Sequence, residues 1–262
     1  MSSRRNLPSA YATEVPDLYE DEDEQDEPTM GGGAVVRKLY IEDDAAEDEP
    51  TEAGPRFELR SGGRTDPGTR VPTNEDALLL LEREGLYVVA DGMGGHTGGE
   101  VASQLAIEAM AATFLDPNET ACVLANVPPR AMQLVQGIAA ANEAIRSAAS
   151  RTPELSEMGT TIVAARFCPN KGKVYIGHVG DSRCYRLRAG HLEQVTRDHT
   201  MAEYGVLGKD ARRLTRAVGS NGIVEADLVV LEPRAADVFL LCSDGLYKAL
   251  SEDQITEVLS SE

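Results

Sequence analysis

The chain has 262 residues, 42% of them apolar, enough for one good-sized domain or two small ones with a real core. Its formal charge of −19 argues against general nucleic-acid binding, which relies on neutralising phosphates, and no basic patch interleaved with aromatics is visible. Four scattered cysteines without a CxxC pair argue against a zinc ribbon or a disulfide scaffold, and no apolar run approaches the roughly 20 residues of a membrane span.

Residues 1–55 hold 16 acids and 4 bases, so most of the charge lies there. The stretch YEDEDEQDEPTMGGG has no apolar period. The expected organisation is an acidic disordered tail over 1–55 and a globular domain over 56–262. The tetrapeptide DEPT occurs twice, ending at Thr29 and Thr51. It is either a chance repeat in an acidic tract or a pair of phosphorylatable threonines. The N-terminus shows no apolar leader, so a reducing cytoplasm is the expected compartment.

From Arg56 the elements follow in order. ALLLLEREGLYVVAD predicts two strands joined at Glu84-Gly85. GEVASQLAIEAMAATFL predicts a helix with Val101, Leu105, Ala106, Met110 and Phe114 on one face. PPRAMQLVQGIAAANEAIRSAAS predicts a second helix, with Pro129 in its first turn. Short strands follow in TTIVAARF, KVYIGHVGD, RCYRLRAG, HLEQVT, DLVVLE and DVFLLCSD, with a hairpin turn at Arg188-Ala189-Gly190. SEDQITEVLSS predicts a last helix capped by Ser251. Strands in hairpins with two long helices between them imply an α+β fold with a largely antiparallel sheet.

Acids recur where apolar strands meet loops. Asp91 ends VVAD, and five glycines fill the next eight positions. Asp181 follows KVYIGHVG, Asp244 follows VFLLCS, and Glu75 and Asp76 open an apolar strand. Carboxylates gathered at one edge repel one another and lose hydration unless a cation sits among them. An oxygen-only set favours a hard cation, Mg²⁺ or Mn²⁺. Gly92, without a side chain, lets the backbone approach such an ion. The histidines (His96, His178, His191, His199) have no metal-ligand spacing and read as surface or satisfied core residues.

The segments NED (74–76), VADGMGGHTGGEVAS (89–103), MGTT (158–161), GHVGDSRCYRLRAGHLEQVTRDHT (177–200), LTRAVG (214–219) and LLCSDGL (240–246) appear in that order. This pattern resembles the bacterial branch of the metal-dependent PPM or PP2C-type protein serine/threonine phosphatases. The resemblance implies a sandwich of two mainly antiparallel sheets flanked by helices. It implies two Mn²⁺ or Mg²⁺ ions in a cleft at one edge, with a weaker third. Asp91 would bridge two ions, the Gly92 carbonyl would bind one and Asp244 the other. Glu75 and Asp76 would hold water beside the ions, and Asp181 would bind the third. A metal-activated water would attack phosphorus, so no cysteine nucleophile is expected. Phosphoproteins, with a Ser/Thr kinase and its substrates, are the implied partners.

The chain departs from the family pattern in three ways. Arg70, matching the phosphate-binding arginine, stands four residues before Asn74 instead of three. A one-residue slip turns a strand side chain to the other face unless a bulge near Pro72 restores it. The segment MAEYGVLGKDARR is shorter than the usual flap. The chain stops at Glu262, before the family's Gly-Asp-Asn metal ligand and final strand, so a C-terminally incomplete domain with an unpaired sheet edge is expected. The alternative to an enzyme is a catalytically impaired relative acting as a phosphoprotein- or kinase-binding signalling adaptor.

Overall fold

The computed structural model describes residues 29–31, 33–42, 57–68, 73–94, 96–115 and 127–261. Two strands lie inside the stretch expected to be a tail. β1 (Thr29–Gly31) and β2 (Ala34–Ile41) form an antiparallel hairpin. This corrects the expectation of a tail over residues 29–31 and 33–42; the rest of 1–55 lies outside the described residues. The run AVVRKLYI is rich in β-branched and aromatic residues suited to a strand, and its apolar start was masked by the acidic average around it. Ala34, Val35 and Val36 are buried. Thr29 opens β1, whereas Thr51 lies outside the described residues.

The predicted hairpin forms from β3 (Asp76–Leu81) and β4 (Leu86–Met93). β5 (Gly159–Thr160), β6 (Ile162–Cys168), β7 (Lys173–Val179) and β10 (Val224–Leu231) complete one sheet, ordered β1-β2-β10-β7-β6-β4-β3 with β5 beside β4. Among the described residues, only β2 and β10 run parallel in this sheet; its other pairs are antiparallel. The second sheet has β8 (Arg183–Arg188) between β11 (Val238–Cys242) and β9 (His191–Gln194). β8 and β9 join through Ala189 (φ 50) and Gly190 (φ 81), the double positive φ of the tightest hairpin turn.

β6 and β7 are buried along almost their whole length because both faces of the first sheet are covered. One face packs on α1 (His96–Leu115) and α2 (Pro129–Arg151), through Met110, Phe114, Leu134, Ile138 and Ile145. The other packs on the second sheet, where Val163, Phe167, Ile176 and Val229 meet Cys184, Phe239 and Leu241. α3 (Asp244–Ala249) and α4 (Glu252–Ser260) follow β11. The architecture is therefore the expected α+β sandwich with flanking helices. Among the described residues, β3 and β11 each have one strand neighbour. No helix among them is long and apolar enough to cross a membrane.

Candidate metal centre

The β3–β4 register sets the first pair of acids, with Asp76 opposite Asp91. Gly92 continues β4, and its amide donates to the Glu75 carbonyl at 3.1 Å. A Cβ on Gly92 would lie 2.0 Å from the Gly99 carbonyl oxygen and 2.8 Å from the Glu75 carbonyl oxygen. Only a residue without a side chain fits between the hairpin and the first turn of α1. The Glu75 carboxylate lies against that turn, where a Cβ on Gly99 would come within 2.6 Å of Oε2. This explains why α1 starts at His96, three residues before the expected Gly99: the glycines let helix and hairpin touch.

Asp181 and Asp244 come from the ends of β7 and β11. Asp91, Asp181 and Asp244 line one cavity of about 200 Å³ with Met93, Thr161, Arg212, Leu214 and Lys248. Asp76 stands beside it, accepting from Ser243 Oγ at 2.6 Å. Thr161 holds Asp91 from both sides: its hydroxyl accepts the Asp91 amide at 3.1 Å and its amide donates to the Asp91 carbonyl at 2.9 Å. Lys248 pairs with Asp244 one helical turn away. Tyr247 donates to the Asp181 carbonyl at 3.0 Å, and Arg183 stacks on its ring 3.7 Å from the centroid.

Burial, then the charges of Asp76, Asp244 and Asp181, push the Asp91 carboxyl up to about 8. Burial and Asp244 likewise raise Asp76 and Asp181. These carboxylates resist sharing the cavity as anions, which is the condition a divalent cation relieves. Carboxylate oxygens with a backbone approach cleared of side chains fit a hard cation. The residues present therefore fit Mg²⁺ or Mn²⁺.

A second titratable group sits behind this cavity. His178, His199 and Asp227 are fully buried, with ligand atoms within 4.8 Å of one another, close enough to chelate an ion. The bonds of His199 and Asp227 are already assigned, however. Arg216 donates to Asp227 Oδ1 at 2.6 Å, His199 Nε2 lies 3.1 Å from Oδ2, and the Gly180 amide donates to His199 Nδ1 at 3.1 Å. The resident cation is the Arg216 guanidinium, and both His199 nitrogens are engaged. His178 stacks on His199 with 4.5 Å between centroids. Burial, then the neighbouring His199, pushes His178 down to about 3, so it is neutral.

Of the residues expected from the sequence, Asp91, Asp181 and Asp244 meet in one cavity, with Asp76, Gly92 and Glu75 at its β3–β4 wall. Arg70 lies outside the described residues. Sequence reasoning gave no role to Thr161, Arg212, Lys248 or the Arg216–Asp227–His199 group. Lys248 carried one usable signal, its place four residues after Asp244 on a helix. The expectation of satisfied core histidines holds for His199. His178 is core, but neither ring nitrogen has a hydrogen-bond partner.

The family model described as Protein phosphatase 2C matches residues 72–261. The chain is 38% identical over 211 residues to the serine/threonine protein phosphatase PstP of Mycobacterium tuberculosis, covering 77% of this chain and 39% of that protein. It is 36% identical over 213 residues to the serine/threonine phosphatase stp of Listeria welshimeri, covering 76% of this chain and 82% of that one. Among solved structures, the catalytic domain of PstP in complex with two manganese ions superposes with a TM-score of 0.63 at 38% identity, covering 75% of this chain and 82% of that domain. The chain thus spans about two fifths of the length of the M. tuberculosis relative.

Proposed function

The chain belongs to the protein phosphatase 2C family, and from that premise we propose that it hydrolyses phosphoserine and phosphothreonine in proteins with the help of divalent cations. The observation that carries this reading is the convergence of Asp91, Asp181 and Asp244 on one cavity, with Asp76 opposite Asp91. Two Mn²⁺ or Mg²⁺ ions are the cofactors, as in the manganese complex of the related PstP domain. When bound, they activate a water for attack on phosphorus and offset charge on the transferring phosphoryl group.

The protein's own residues have distinct tasks in this reading. Asp91, the Gly92 carbonyl and Asp244 would hold the two ions. Glu75 and Asp76 would orient water at the β3–β4 wall, and Asp181 would hold a weaker third ion. Arg70 grips the phosphate. Arg212 and Lys248 bring positive charge to the cavity that receives it. The catalytic domain takes in β1 and β2 together with the part from residue 56 onward, and a Ser/Thr kinase supplies its phosphorylated partners.

The test is hydrolysis of a phosphothreonine peptide by the 262-residue chain, with Mn²⁺ or with chelator. Turnover should require the ion. Asp91→Ala should lower it by roughly 10²-fold or more, as loss of a several-kcal/mol metal contribution implies. Asp181→Ala should be milder and change the Mn²⁺ dependence. No turnover from a folded, Mn²⁺-binding chain would instead favour the phosphoprotein-binding adaptor.

A further inference from the structure

Asp181 follows the turn at Val179-Gly180, and that turn is held by a residue the reaction does not touch. Gly180 has φ 104, and a Cβ there would lie 2.6 Å from Thr161 Cγ2. Its two backbone groups both bond to His199. The His199 amide donates to the Gly180 carbonyl at 3.0 Å, and the Gly180 amide donates to His199 Nδ1 at 3.1 Å. The second bond is possible only if Nδ1 carries no proton. The single proton of the neutral ring must then sit on Nε2, which faces Asp227 Oδ2 at 3.1 Å. Asp227 is fixed as an acceptor by Arg216. His178, buried and stacked on the ring, prevents its rotation.

We propose that His199 is a positioning residue for Asp181: the Arg216–Asp227 pair selects its Nε2–H tautomer, and the free Nδ1 fixes the Gly180 amide and so the direction of the Asp181 carboxylate. This rests on the reading of Asp181 as a cation ligand. The arrangement is that of an outer-shell partner, which sets a ligand's orientation without touching the ion. It also reaches the segment over the cavity, because the His199 carbonyl accepts from the Thr215 amide at 2.9 Å, next to the cavity residue Leu214.

The test combines ring ¹⁵N NMR with Mn²⁺ titration by calorimetry on the full chain. In the unsubstituted protein, His199 should be protonated at Nε2 and bare at Nδ1. The opposite tautomer would overturn the proposal, and this measurement is made on the unsubstituted protein. Asp181→Asn identifies the binding step that depends on Asp181. If it leaves Mn²⁺ binding unchanged, the cation-ligand reading fails and the proposal with it. If Asp181→Asn weakens a step, His199→Ala should weaken the same step by about 10-fold or more. His199→Asn, whose amide oxygen can occupy the place of Nδ1, should recover most of that loss. A folded His199→Ala that binds Mn²⁺ like the parent, or a His199→Asn no better than His199→Ala, would overturn the proposal while leaving the cation reading intact. Mn²⁺-induced changes centred on the His178 ring would place an ion inside the histidine cluster and overturn it as well.

Discussion

The Asp91 carboxyl, pushed up to about 8, gives the ion-free fold a definite pH dependence. The unfolded chain releases that proton near about pH 4, whereas the folded chain keeps it to about 8. Between these values the folded state holds more protons, so this group's contribution to stability falls as pH rises. His178 works oppositely: it is neutral when folded down to about 3 but charges near 6.5 when unfolded, so its contribution is lost as pH falls below that value. Between about pH 4 and 6.5 the two slopes cancel, so in chelator stability should be level there and decline from about pH 6.5 toward pH 8. Thermal melts across this range should show that decline, Asp91→Asn should flatten it, and Mn²⁺ should raise the melting temperature more above pH 8 than at pH 6. A Mn²⁺ effect independent of pH would mean that the ion displaces no proton. The acids were legible in the sequence because each interrupts an apolar run at its end. The partners of His199 were not, since Asp227 and Arg216 come from distant positions and no spacing announces them.

Among the elements, the contact between the β3–β4 hairpin and α1 is the least tolerant of change. Gly92→Ala would drive a methyl group into the Gly99 carbonyl, a backbone atom that no rotamer can move. A loss of at least about 1–3 kcal/mol in urea unfolding is expected, with weaker Mn²⁺ binding. Unchanged values for both would show that hairpin and helix separate freely. At α4, Ser251 accepts the Gln254 amide at 3.3 Å while Gln254 accepts the Ser251 amide at 2.9 Å. Ser251→Ala should therefore cost about 1 kcal/mol in the same experiment. That cap, the hairpin at residues 188–191 and the apolar face of α1 could all be read from local pattern, because each is set by residues within one or two turns. The early start of α1 could not. Its glycines look like a loop until the hairpin they pack against is in place.

For the whole molecule, the N-terminal strand matters most. β2 closes the edge of the first sheet at β10 and ties it to the second sheet. Glu42 accepts from the Glu232 amide at 2.9 Å and from Arg186 at 3.2 Å. Deleting residues 1–42 should lower stability by up to about 3–6 kcal/mol, the value of burying Val35 and Val36. It should also open the β10 edge to self-association. Urea unfolding and light scattering test both effects, and an unchanged midpoint would make β2 a passive appendage. The sandwich itself was legible from the order of its strands. This extra strand was not, because its acidic surroundings dominate any average over the segment. Val36 pairs with Ala226, 190 residues later in the chain. At about 5–20 residues per second, a ribosome needs roughly 10–40 s to make that partner after β2 emerges. For that interval the edge of β2 that β10 will cover has no partner, and acids beside it in sequence, as at Glu42, Asp43 and Asp44, are the kind of charge that disfavours pairing between nascent chains.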